Sequence, residues 1–263
     1  MSRRHCAAAR FSASRRALRV AWAVVAVLAI EAGSAGAQPT RFTVVAEAGV
    51  FSRGEGELTQ AAVLAPGAAG TPGVVDWQLA LDIGIADRLQ LGVGLPVVCY
   101  EWSTSRLDSD GLSAWGMWGV ADGADGVGGG FALTVLAGIA QTRHERCAEA
   151  GLLAQRELGA WTIAYNGFAG RMWPTDAGGE PLALVRQGLG VSRSATGWIH
   201  VGGELVHEAA ARPGEGWTSA VQAGPTLAMD TALAWLAVTP LWRLDTGATP
   251  GRLTLNLLVG RPF

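Results

Sequence analysis

The sequence predicts an all-β protein: an antiparallel, up-and-down transmembrane β-barrel of about 12 strands that follows a cleaved signal peptide. Three observations support this prediction. Most of the chain consists of segments of alternating polarity, the connections between them alternate in length, and the N-terminus is typical of an exported protein. Gly makes up 37 of the 263 residues, about twice the usual share of ~7%, which argues against long soluble helices.

Residues 1–37 have the features of a secretory signal peptide. Six arginines precede an apolar run from Val20 to Ile30, and the small residues Ala35-Gly36-Ala37 follow it. The run is too short for a membrane-spanning helix, which needs about 20 apolar residues. We expect cleavage after Ala37, which leaves residues 38–263 as one outer-membrane β-barrel domain.

The clearest strand pattern runs from Asp76 to Val98 around the turn Ala86-Asp87-Arg88. Its even positions are mostly polar residues and glycines, and its odd positions are apolar: Trp77, Leu79, Leu81, Ile83, Ile85, Leu89, Leu91, Val93, Leu95 and Val97. Because side chains alternate across a strand, the pattern predicts one apolar and one polar face. A soluble sandwich or a membrane barrel could use it, so the rest of the chain must decide.

Twelve such segments are predicted, at 41–51, 74–86, 88–101, 112–122, 130–142, 145–157, 160–171, 181–193, 197–208, 215–228, 230–244 and 251–263. About twelve residues at ~3.3 Å each, tilted by ~40°, span roughly 30 Å. Short turns alternate with longer loops, apart from a long connection at 122–129 and a short one at 143–145. This alternation and the even strand count are typical of an outer-membrane barrel with both termini in the periplasm.

Tryptophans near the predicted strand ends agree with this interpretation. Trp161 and Trp198 lie at the end with short turns, whereas Trp102, Trp173 and Trp217 lie at the end with long loops. Outer-membrane barrels carry girdles of aromatic residues at both membrane interfaces.

Charge limits the class of partner. Without residues 1–37 the chain keeps 14 Arg, no Lys and 21 Asp plus Glu residues, a net charge near −7. An acidic chain without a basic patch is not expected to bind nucleic acid. The expected partners are outer-membrane lipid, the barrel-assembly machinery and a small-molecule solute.

The phrase "GIADRLQLGVGLPVV" resembles a motif of the MetA-pathway phenol-degradation family of bacterial outer-membrane transporters. The similarity covers 15 residues and is carried by Gly84, Asp87, Arg88, Leu89, Leu91, Gly92, Leu95 and Pro96. The resemblance implies a passive channel or transporter for small solutes, including hydrophobic or aromatic ones.

The C-terminus, "LTLNLLVGRPF", is similar to the assembly signal of outer-membrane barrels, an alternating strand that ends in Phe. Leu255, Leu257, Val259 and Phe263 are in phase, whereas Arg261 and Pro262 depart from the pattern. The resemblance implies that Phe263 is part of the assembly signal.

Seven ionisable residues are predicted to line the barrel lumen: Glu47, Asp82, Glu149, Arg186, His200, Glu204 and Arg243. An arginine that faces lipid at the midplane costs ~2–4 kcal/mol, so charged groups should point inward. They could form a polar path for a solute, or they could be paired residues that fill a closed lumen.

Three function classes follow from these observations. The first is a passive channel, the second is a structural or adhesion barrel with a plugged lumen and an interacting outer loop at 52–73, and the third is a secreted soluble β-protein. No metal motif, phosphate loop or nucleophile elbow is visible, so we expect no enzyme activity, cofactor or metal.

Overall fold

The computed structural model describes residues 40–66, 73–101, 105–121, 130–175, 179–245 and 253–263. The predicted signal peptide and its cleavage site lie outside the described residues, as do Trp102 and the whole predicted connection at 122–129. In the part of the chain that is described, no helix is long and apolar enough to cross a membrane.

The described chain forms fourteen strand segments: β1 (Gly56–Ala65), β2 (Val74–Ala86), β3 (Leu89–Gly94), β4 (Val97–Glu101), β5 (Arg106–Asp110), β6 (Leu112–Ala121), β7 (Phe131–Gln141), β8 (Glu145–Leu158), β9 (Trp161–Pro174), β10 (Leu182–Thr196), β11 (Ile199–Ala211), β12 (Thr218–Asp230), β13 (Trp235–Arg243) and β14 (Leu253–Pro262). Every pairing among them is antiparallel.

The fourteen segments close into a twelve-stranded barrel, as predicted, because β1 pairs with β14 on one side and with β2 on the other. Strand β2 pairs first with β4 and then with β3. The two are thus parts of one wall strand, interrupted at Leu95-Pro96, where proline offers no N–H to the ladder. The partner strand is divided in the same way into β5 and β6 at Gly111, whose φ is +87°.

The first predicted strand is wrong, although the strand count is right. Residues 41–51 belong to no strand, and β1 lies instead at Gly56–Ala65, inside the segment predicted to be an outer loop at 52–73. The hairpin strand β5 also lies in a predicted loop. The other predicted strands correspond to β2, to β3 with β4, and to β6 through β14.

The two ends of the barrel differ. One end, the short-turn end, carries the turns that join β2 to β3, β8 to β9, β10 to β11 and β12 to β13, together with the start of β1 and the end of β14. The opposite end is the long-loop end. Phe263 closes the seam at the short-turn end, where it exchanges backbone hydrogen bonds with Gly56 at 2.9 and 3.0 Å.

Large apolar side chains cover the outside of the barrel, and polar side chains are buried inside it. Ile139 and Leu152 face outward and are 65% and 52% exposed, whereas Thr134 on the opposite face of β7 is fully buried. This is the reverse of a soluble sandwich, in which the apolar face would be the covered one. The outer surface is therefore suited to lipid.

We expect charge to be tolerated poorly at mid-height on this outer face. Leu205→Arg, halfway along β11, should lower the free energy of unfolding in lipid vesicles by ~2–4 kcal/mol, and Leu158→Arg at a strand end by ~0–1 kcal/mol. The two leucines are matched controls because they are 43% and 40% exposed. Urea titration of the heat-modifiable band on a gel measures both, and equal losses would contradict the outward assignment.

Candidate functional site

The lumen is occupied by the chain that precedes β1. We call residues 40–51 the inner segment. Phe42 and Val45 are fully buried and Ala48 is 2% exposed. They are covered by the barrel wall, since Phe42 and Val45 cluster with Ala164 of β9, and Ala48 clusters with Leu153 of β8.

Glu204 of β11 is the main anchor of the inner segment. Three consecutive backbone N–H groups, those of Thr43, Val44 and Val45, donate to its carboxylate at 2.8, 2.7 and 2.9 Å, and the Thr43 hydroxyl donates at 3.0 Å. Successive N–H groups that converge in this way form an anion-binding nest. Hydrogen bonds to an ionised acceptor are about twice as strong as neutral ones.

Two further wall strands supply the other hydrogen-bond donors to the Glu204 carboxylate. The hydroxyls of Thr226 on β12 and Thr239 on β13 donate to Glu204 at 3.0 and 2.7 Å. Glu204 is only 3% exposed, so a buried charge here requires the donors that it receives. The same carboxylate therefore joins three wall strands to the inner segment.

Amide and hydroxyl side chains of the wall satisfy the rest of the inner segment. The Ala48 and Phe51 N–H groups donate to Gln155 and Gln90 at 3.2 and 3.1 Å. The Ala46 carbonyl accepts from the Asn166 amide at 2.8 Å, and the Ala48 carbonyl accepts from the Thr134 hydroxyl. Buried backbone groups need partners, and here side chains replace the neighbouring strand.

These contacts place the inner segment in one half of the lumen. Gln90 is the second residue of β3 and Thr134 the fourth residue of β7, while Gln155 is three residues from the end of β8. All three positions are near the short-turn end. The inner segment therefore fills the lumen on the short-turn side.

Two glycines of β10 leave room for the inner segment. A Cβ at Gly190 would lie 2.7 Å from the Phe42 ring, and a Cβ at Gly188 would lie 3.0 Å from Val45. The first distance is too short for an unshifted side chain. The wall is thus shaped to the two apolar side chains that it covers.

The predicted lumen residues do not form one ring. Glu47 lies inside the barrel on the inner segment, not on a strand, and binds Arg41 within that segment at 3.4 Å. Asp82 of β2 accepts from Gln90 and Trp115, both at 2.8 Å.

Four other predicted residues lie at different heights. Glu149 and Arg186 pair at 3.2 Å, and the Arg186 guanidinium lies 4.8 Å from the centre of the Phe168 ring. His200 is the second residue of β11, at the short-turn end, opposite Ala228. Arg243, the last residue of β13, binds Asp245 at 2.6 Å near the long-loop end.

Sequence reasoning missed Glu57 and the amide residues that bind the inner segment. Glu57, 6% exposed, accepts from the Trp235 indole at 2.6 Å and lies directly across from Asp82. It lay in the predicted loop, so no strand face was assigned to it. Gln155 shares the face of the predicted lumen residue Glu149, whereas no lumen face is predicted for the strand that contains Asn166. The signal that could have found both is an amide repeated on the lumen side of several strands.

A cavity of about 730 Å³ runs beside the inner segment. Six acidic residues line it: Glu47, Glu55, Glu57, Asp82, Glu145 and Glu149. Among the described residues that line this cavity, Arg186 is the one basic residue. The space left in the lumen is therefore predominantly acidic.

We predict that Glu204→Gln loosens the inner segment. Losing a charge-assisted hydrogen bond, worth ~1.5–3 kcal/mol, should raise exposure of the segment about tenfold or more. A cysteine placed at the fully buried Val45, with Cys99 and Cys147 changed to Ser, reports this as its rate of maleimide labelling. Glu208→Gln is the matched control, since Glu208 is an exposed lumen-face residue of the same strand. Equal labelling rates in the two variants would contradict the anchor role.

Comparison with known proteins shows the fold. No family model matches the chain, and no curated protein matches it in sequence. The structure is similar to the COG4313 outer membrane channel from Pseudomonas putida F1, with a TM-score of 0.60 and 12% identity over 81% of this chain and 97% of that one. It is also similar to the KdgM porin, solved in complex with disordered oligogalacturonate, with a TM-score of 0.54 and 8% identity over 79% of this chain and 99% of that one. At these identities the chain shares with them the fold of an outer-membrane β-barrel.

Proposed function

We propose that this protein is a passive outer-membrane channel for small solutes and that its own inner segment closes the lumen. The observation that carries the proposal is the way the inner segment is held. It contacts the wall through side-chain hydrogen bonds, chiefly those of Glu204, and not through strand pairing. A segment held in this way can leave the lumen without breaking a strand ladder of the wall.

The cavity beside the inner segment supports passage of a small solute. Its volume, about 730 Å³, is within the range of ligand cavities. Its lining combines the acidic residues with apolar side chains: Trp115, Met117, Leu136, Met172 and Leu184. Such a mixed lining suits small aromatic or hydrophobic solutes, the class that the MetA-pathway resemblance implies.

The fold supports the same class of function. The two similar structures are named as a channel and a porin. We extend that role to this chain, together with an outer-membrane location, export by the predicted signal peptide, and assembly directed by the C-terminal strand that ends in Phe263. Transport through such a lumen requires no catalytic group, so the protein is proposed to be non-enzymatic.

A permanently closed structural barrel is the second candidate, and the buried inner segment favours it. The outer loop predicted at 52–73 for this candidate cannot act as an interacting loop over its whole length, because residues 56–65 form the wall strand β1. The two candidates differ in whether removal of the inner segment opens a pore.

We predict that a folded barrel beginning at residue 52 conducts in planar bilayers at several times the level of the chain beginning at residue 38. Glu204→Gln in the longer chain should give intermittent openings, because it weakens the anchor without removing the segment. Heat-modifiable gel mobility confirms folding of each variant, and Glu208→Gln is the control. Persistent silence of the folded shorter barrel would favour the structural candidate.

We also predict that the lumen passes aromatic cations faster than aromatic anions of the same size. The acidic lining attracts cations and excludes anions. In liposomes that contain the opened barrel, beginning at residue 52, swelling with benzylammonium should exceed swelling with benzoate by about threefold or more. Asp82→Asn combined with Glu149→Gln should bring the ratio towards one, whereas Glu215→Gln, an exposed turn residue, should leave it unchanged. A faster flux of benzoate would contradict the prediction.

A further inference from the structure

Charge sign is divided between the two faces of the barrel wall. Cys147, Glu149 and Met172 line the lumen cavity, so their strand neighbours Arg146 and Arg171 face outward. In the described strands, outward-facing arginines occur at Arg146, Arg156, Arg171, Arg193 and Arg261, whereas the Asp and Glu residues lie on the inner face. Within the described strands, every Asp, Glu or Arg charge on the outer face is therefore positive.

Four of these arginines form two clusters, each built around a tryptophan. In the long-loop cluster, Arg146 of β8 lies directly across from Trp173 of β9, and the Arg171 guanidinium lies 6.0 Å from the centre of the Trp173 ring. The geometry is that of a cation–π contact with a second arginine beside it.

The short-turn cluster has the same residue types at the other end of the same wall, with its two arginines on the strands that flank Trp161. Arg193 of β10 lies directly across from Trp161 of β9, with its guanidinium 5.6 Å from the ring centre. Arg156 is two residues before Leu158, the direct partner of Trp161 on β8. Each cluster thus has one tryptophan flanked by two arginines.

The separation of the clusters matches the thickness of a membrane. Arg146 and Arg156 are ten residues apart on β8, and Trp161 and Arg171 are ten apart on β9. Ten residues at ~3.3 Å, tilted by ~40°, give a height of roughly 25 Å, which equals the apolar band of an outer-membrane barrel. Both clusters therefore lie at the level where lipid phosphates begin.

No protein group neutralises these charges within the described chain. Arg146, Arg156, Arg171 and Arg193 are exposed, and none of them pairs with a carboxylate among the described residues. Guanidinium groups keep their charge and match the geometry of phosphate oxygens with paired N–H donors. Between the clusters, many outward side chains of β8 and β9 are small and project little from the wall: Ala148, Ala150, Ala154, Gly167 and Ala169.

We propose that the wall formed by β8, β9 and β10 binds anionic phospholipid, one molecule at each membrane boundary. The phosphate lies between the two arginines of a cluster, the tryptophan ring lies at the level of the glycerol backbone, and the acyl chains lie along the small residues. The proposal rests on the proposed membrane location, and it does not depend on conduction through the lumen.

Native mass spectrometry of the barrel beginning at residue 38 tests this proposal with an equimolar mixture of phosphatidylglycerol and phosphatidylcholine. The unaltered barrel should retain phosphatidylglycerol preferentially, and high salt should weaken its retention. Arg146→Gln with Arg171→Gln, and Arg156→Gln with Arg193→Gln, should each reduce the retained phosphatidylglycerol by about fivefold, and the four changes together should abolish the preference. The matched Lys variants should keep most of it.

Arg88→Gln with Arg212→Gln is the control, because these exposed arginines lie in connections outside the clusters and outside the inner segment. An unchanged preference in the fourfold Gln variant, equal retention of the two lipids by the unaltered barrel, or an equal loss in the control would overturn the proposal. If a Gln variant does not fold, the Lys variants and the salt dependence decide. Conductance measured on the same variants should be unchanged, so failure of lipid binding and failure of the channel function are distinguishable.

Discussion

The arrangement of this lumen depends on one constraint. The backbone N–H and C=O groups of an extended chain inside a closed barrel need hydrogen-bond partners. A wall strand finds its partners in its neighbours, but the inner segment has no neighbouring strand, so side chains must supply them. Glu204 meets the largest part of this demand by accepting three consecutive N–H groups. The amide and hydroxyl groups of Gln90, Thr134, Gln155 and Asn166 supply most of the remainder.

The same demand explains why the sequence pattern predicts a strand at the inner segment, where none forms. Residues 41–51 alternate like a strand, and an extended chain bonded to side chains carries the same local pattern as one bonded to a strand. Strand β1, GELTQAAVLA, was missed because small and weakly polar residues fall on both of its faces. One false and one missed strand left the count at twelve.

The sequence predicts that the lumen residues lie on the inner face of the wall, but it does not predict which residues they contact. The cost of charge in lipid directs Asp82, Glu149 and Arg186 inward without reference to their partners. Their contacts depend on the register between distant segments, as when Glu149 of β8 meets Arg186 of β10 across β9. The role of Glu204 depends on a segment that the sequence pattern placed in the wall, and no feature local to β11 reveals it.

Glu204 also lies beside an interruption in the pairing between β12 and β13. The register between β12 and β13 passes from Ala223 and Trp242 directly to Leu227 and Val238, and the interval contains Pro225 and Pro240, which cannot donate to a ladder. Thr226 and Thr239 face the lumen across this gap with their hydroxyls 2.7 Å apart, and both donate to Glu204. Side-chain bonds through one carboxylate thus replace missing ladder bonds. Because the inner segment binds the same carboxylate, its presence in the lumen and the integrity of this part of the wall are energetically coupled.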